Sequence, residues 1–130
     1  KSSGAANRVK FHGRLEPNAS WQFARGAWVG LTLLESTPAF IEAVPSKLYE
    51  YAFAGLAIIS SPLPRCIELI NESQGGVIAD HSEKAAEVMN LWAENPTALI
   101  EMRNSAERWA REILNSDAHY ATYFGAVDKL

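Results

Sequence analysis

Residues 28–60 read WVGLTLLESTPAFIEAVPSKLYEYAFAGLAIIS. Two short apolar runs, 28–34 (WVGLTLL) and 56–60 (LAIIS), bracket a polar loop and an amphipathic segment that ends in glycine. Runs of this length without polar alternation are the signature of strands buried on both faces. Between them, residues 46–54 predict a helix with Ser46 as N-cap and Gly55 at the C′ position. Strand, helix, strand in this order specify a parallel pair joined by a crossover.

Outward from that unit the pattern repeats. Residues 64–72 predict a short helix, and 76–79 (GVIA) a third buried strand. Upstream, residues 18–25 (NASWQFAR) put Trp21 and Ala24 on one helical face, and Gly26 ends the turn. Residues 8–11 (RVKF), followed by His12-Gly13, read as a β-type run closed by a turn signal. The last third is helical: residues 82–94, then 96–113 with Pro96 in the first turn, then 117–130. Trp92, Leu99, Met102, Trp109 and Ile113 recur at helical spacing and are expected to face the core. The expected fold is α/β: a Rossmann-like three-layer α/β/α arrangement around a parallel sheet. Residues 1–8 are expected to be a flexible lead-in and 9–130 one domain that includes the C-terminal helices 82–130.

Composition narrows the function classes. Of 130 residues, 48% are apolar and 21% charged, the balance of an ordinary globular domain. The formal net charge of -3, with scattered lysines and arginines, gives no footprint for nucleic acid or an anionic membrane. One cysteine, Cys66, rules out an intrachain disulfide framework and suits a cytoplasmic protein. His12, His81 and His119 share no metal-ligand spacing with one another or with Cys66, so no metal site is expected. Arg103, Arg108 and Arg111 share a helix with Glu101, Glu107 and Glu112, the pattern of a solvated, ion-paired face.

The loop over residues 35–45 is longer than the roughly 2–6 residues usual between a strand and a helix. It leaves the carboxyl end of a strand, where open parallel sheets bind ligands. The helix after it opens with Pro45-Ser46, and the first-turn amides of Lys47, Leu48 and Tyr49 would form an anion site beside the Lys47 charge. Glu50, one turn in, leans back toward that site, where a carboxylate suits the paired hydroxyls of a ribose. Glu42, in the loop, could face the far side of bound phosphates, where a sugar would sit. A bland reading stands beside this one: a glutamate near a helix start is stabilised by the dipole without any ligand. Residues 60–64 (SSPLP) follow the second strand and could line the same cleft, or their prolines could simply shape the loop.

The motifs resemble those of the retaining glycosyltransferases of family 4, which have the GT-B fold. Glu42 and Glu50 match the E-x7-E spacing, and PSKLYEYAFAGLAIISS resembles a P-x-K-[LI]-[YF]-E-Y-x-A-x-G signature of enzymes of bacterial surface-polysaccharide assembly. VKFHGR (9–14) is similar to a V-x-F-x-G strand and turn, and IELI with GGV (67–70, 75–77) to an E-I-I … G-x-x-V passage. The resemblance implies a C-terminal, donor-binding half-enzyme. It implies ribose binding by Glu50, donor-sugar contact by Glu42, and diphosphate binding by the amides of Ser46, Lys47 and Leu48. It places His12, Gly13 and Arg14 beside the base. It further implies no cofactor or metal, an NDP-sugar donor with UDP-sugar as the default, and an acceptor-binding N-terminal domain through which peripheral membrane association would run. By itself such a half is expected to be inactive. A non-catalytic α/β interaction module and a GT-B nucleotide-sugar epimerase are the competing expectations. The PSKLYEY run favours the transferase, and no cluster of strand-end acids supports a receiver-like module.

Overall fold

The computed structural model describes residues 4–43 and 45–116. Three strands, β1 (Val29–Thr32), β2 (Ala57–Ser60) and β3 (Gly76–Ile78), form a parallel sheet in the order β1-β2-β3. The register sets Val29 beside Ala57 and Ile58 beside Gly76. β2 is the middle strand and is buried along its whole length, as its unbroken apolar run requires. Helix α1 (Pro17–Gly26) precedes β1. The one-turn α2 (Pro38–Ile41) and α3 (Ser46–Phe53) lie between β1 and β2, and α4 (Pro64–Ser73) between β2 and β3. Two helices close the described chain, α5 (Ser82–Glu94) and α6 (Pro96–Ser116). The arrangement is the expected α/β, Rossmann-like one, with helices on both faces of the sheet.

The two-residue period of β2 divides the core. Ile58 joins Leu48 and Phe53 of α3, Leu69 of α4, and Ala106 and Trp109 of α6. Ala57 and Ile59 point the other way, to Val88 and Trp92 of α5 and to Leu99 and Met102 of α6. Leu48, Ile58, Ile59 and Leu69 are each at most 1% exposed. Burial of each contributes about 1.5–3 kcal/mol relative to the solvated side chain. Cys66 is buried in the first cluster as a small apolar group.

Helix α6 belongs to both clusters because it crosses the amino ends of the strands. The Arg103 guanidinium lies over the Trp28 ring, 4.4 Å from its centroid, just before β1. Its Nε donates to the Gly55 carbonyl at 2.8 Å, just before β2. Ala106 packs so tightly on Gly75, just before β3, that a Cβ there would lie 2.5 Å from the Ala106 Cβ. Arg103 is therefore half-buried rather than part of the solvated face expected for it, while Arg111 does pair with Glu107, at 3.5 Å.

Other expectations are corrected. Residues 8–11 are not a strand: Ala6–Arg8 form a 3₁₀ turn, and Val9 and Phe11 are 56% and 92% exposed. A β pattern needs a neighbouring ladder for its amides and carbonyls, and β1 pairs only with β2 among the described residues. For the same reason 28–34 is not buried on both faces. It supplies an edge strand, and Leu31, Leu33 and Leu34 stay partly exposed. The N-cap of α3 is Pro45, not Ser46, which is the first helical residue. The last helix runs three residues further than the expected 113. The expected helix over 117–130 and residues 1–3 lie outside the described residues. No helix among the described residues is long and apolar enough to cross a membrane.

Candidate functional site

A parallel sheet sends all its strands out through one edge, and here the three exits share a cleft of about 540 Å³. After β1 it is lined by Leu33, Leu34, Glu35 and Ser36. After β2 come Ser61, Pro62 and Leu63, and after β3 Ala79, Asp80, His81 and Ser82. Ser61 fastens two of these exits. Its amide donates to the Thr32 carbonyl at 3.0 Å, and its Oγ accepts from the Leu34 amide and donates to Thr32. The Ala79 amide donates to the Ser60 carbonyl at 2.8 Å and fastens the third. The rim is thus built on backbone bonds to strand ends. The residues of 60–64 that could line a cleft do so at Ser61, Pro62 and Leu63.

On the far wall, His81 caps α5. Its Nδ1 accepts from the Lys84 amide at 3.0 Å, a bond that needs this nitrogen unprotonated. Nε2 lies 3.3 Å from Asp80 Oδ1, and Nδ1 lies 3.3 Å from Glu83 Oε2. The neighbouring Glu83 carboxyl is held below its ordinary value, first by its own backbone amide and then by the Ser82 hydroxyl and His81.

The helix α3 starts at this same edge, because a helix between parallel strands must return to the amino side. Its first turn holds Lys47 and Glu50, whose Nζ and Oε2 are 3.0 Å apart. The Glu50 side chain is 20% exposed and Lys47 is the outer partner at 63%. Next to Glu50, the Tyr51 hydroxyl donates to the Leu31 carbonyl at 3.1 Å. The Tyr51 ring covers Gly30 so closely that a Cβ there would lie 2.4 Å from ring carbons. Burial raises the Tyr51 hydroxyl above its ordinary 10.0, with Lys47 opposing and Glu50 adding to the shift. The loop over 35–45 carries α2, whose N-cap Thr37 accepts from the Phe40 amide. That turn takes up the extra loop length, and its Pro38 start at only four residues hides it from a periodicity reading.

The candidate residues fall into three places. Ser46, Lys47, Leu48 and Glu50 share the first turn and a half of α3. The Leu48 amide donates to the Pro45 carbonyl at 3.0 Å and its side chain is in the core. Glu42 is exposed at the C-cap of α2 and is not among the residues lining the cleft. His12, Gly13 and Arg14 are exposed on the segment before α1, where His12 packs against Phe23 at 4.2 Å and Gly13 adopts φ +67°. Sequence reasoning did not single out Glu35 or Asp80, and weighed His81 only as a metal ligand. They come from loops some 45 residues apart, and the signal that could have found them is their position just after a strand. Among the described residues no three His, Cys, Asp or Glu side chains come together as a metal-holding group.

The model of the family described as Glycosyl transferases group 1 matches residues 1–113. No curated protein and no solved structure matches the chain.

Proposed function

We propose that this chain, which belongs to the glycosyl transferases group 1 family, is a domain that binds the nucleotide-sugar donor for retaining glycosyl transfer. The donor is a nucleoside diphosphate sugar, UDP-linked by default, used in surface-polysaccharide or glycoconjugate synthesis. Lys47 and the amides at the start of α3 take the diphosphate, Glu50 accepts from the ribose hydroxyls, and Glu42 meets the sugar once donor is bound. His12, Gly13 and Arg14 flank the base. The observation that carries this reading is the Lys47–Glu50 pair, which sets a cation for phosphate and a carboxylate for a diol within one turn of the helix at the ligand-binding edge.

Departure of the nucleoside diphosphate builds negative charge on the leaving phosphate, and a helix start with an adjacent ammonium stabilises that charge as it forms. The domain by itself holds donor without transferring the sugar, because the acceptor is held by a partner domain. Calorimetry with UDP, GDP and ADP tests this. One of them binds the wild type, and Glu50→Gln weakens it about tenfold or more. The 2′-deoxy form of that nucleotide binds wild type and variant alike. Equal loss of both forms in the variant would remove Glu50 from the ribose, and no affinity for any nucleotide would overturn the reading.

A further inference from the structure

His81 apart, the charged side chains that line the cleft are acids. Glu35 enters it from the exit of β1 and Asp80 from the exit of β3, and no lysine or arginine is among the residues that line it. Cations on the flanking helices are turned to acids of their own helix: Lys47 to Glu50 at 3.0 Å, Arg65 to Glu68 at 2.7 Å and Lys84 to Glu87 at 3.2 Å. His81 accepts the Lys84 amide at Nδ1, and its two ring nitrogens lie 3.3 Å from the Asp80 and Glu83 carboxylates. The rest of the lining is apolar side chains and the hydroxyls of Ser36, Ser61 and Ser82, that of Ser61 already bonded to the Leu34 amide and the Thr32 carbonyl.

Such a lining does not suit a phosphate or a carboxylate. It does suit a polyhydroxylated ring, whose hydroxyls donate to carboxylates while its C–H faces rest on Leu33, Leu34 and Leu63. We infer that the cleft takes the sugar moiety of the donor and acts as a charge filter: it accepts a neutral or amino sugar and rejects one that carries a carboxylate. This rests on the nucleotide-sugar reading and adds the class of sugar to it. The discrimination is repulsive. A uronate carboxylate would meet Glu35 or Asp80 across a concave surface that concentrates the field, and specificity of this kind is set by the contact denied to the wrong ligand.

Matched donors test the filter. UDP-glucose is compared with UDP-glucuronate, and UDP-galactose with UDP-galacturonate, by calorimetry at low ionic strength on the whole chain, with UDP, GDP and ADP alone as the nucleotide arm. The neutral member of each pair is expected to bind about tenfold tighter, the scale of one or two solvent-screened like-charge contacts. In E35Q/D80N, whose two positions are exposed and whose fold is checked by thermal unfolding, the gap should close to about twofold. Where GDP or ADP is the nucleotide that binds, the neutral and uronate sugars of that base replace the UDP pairs. A uronate that binds as tightly as its neutral partner overturns the charge filter and leaves the nucleotide reading standing. A gap that survives E35Q/D80N unchanged removes these two carboxylates as its cause. Binding of no nucleotide and no donor overturns both.

Discussion

The Tyr51 hydroxyl donates to the Leu31 carbonyl at 3.1 Å, so the helix that carries Glu50 is bonded directly to the strand that opens into the cleft. The bond is sequence-adjacent to Glu50 on one side and precedes the cleft-lining Leu33 by two residues on the other. Any tilt of α3 would have to break it.

Tyr51→Phe should cost about 0.5–1.5 kcal/mol, the net worth of one such hydrogen bond. It should also change the alkaline limb of stability. Because burial raises the folded-state value above 10.0, the native protein keeps a proton that the unfolded chain releases. This contribution is full below pH 10 and is lost as pH rises through the folded-state value. Urea unfolding of both proteins at pH 8 and above pH 10 should show the wild type losing more stability than the variant; parallel losses would remove Tyr51 as the source.

Gly30→Ala puts a methyl group 2.4 Å from the Tyr51 ring. Overpacking of this kind costs typically about 1–3 kcal/mol. In the Tyr51→Ala background the same substitution should cost much less, and this coupling is read from a double-mutant cycle by denaturant melts.

Arg103→Ala removes the bond to Gly55 and the charge over Trp28. A loss of about 1–3 kcal/mol is expected in thermal or urea unfolding. Arg103→Lys should recover only part of it, since a lysine cannot stack its charge on the indole and donate to the carbonyl in the same planar geometry.

Lys47→Ala should leave stability within about 1 kcal/mol of the wild type, because an ion pair with a 63% exposed partner is weak. Its effect should appear in ligand binding, as a drop in nucleoside diphosphate affinity together with a shallower salt dependence in calorimetry.

The sequence was most readable where burial is complete. Residues 56–60 have only one plausible state, and Ala57–Ser60 is the fully buried middle strand. Gly55 was legible as a helix end because only a φ of +76° closes α3 against β2, and glycine adopts it without strain. Val9 and Phe11 misled because their β pattern is local, while a strand is defined by the neighbour that pairs with it. Ser46 was misplaced by one position, since Pro45 can cap with its carbonyl alone and leaves no side-chain signal. Glu50 and Lys47 could be placed together from spacing. Glu35 and Asp80 could not, because a cleft between separate loops follows from register, which only the folded sheet supplies.

Helix α6 lies across the end of the sheet opposite the cleft and ties both halves of the core together there. The packing that ties the core together and the open cleft therefore lie at opposite ends of the sheet. Descendants of this chain could trade the residues at 35, 36 and 80 for others, and so remake the lining of the cleft, without loosening the foundation on which those loops stand.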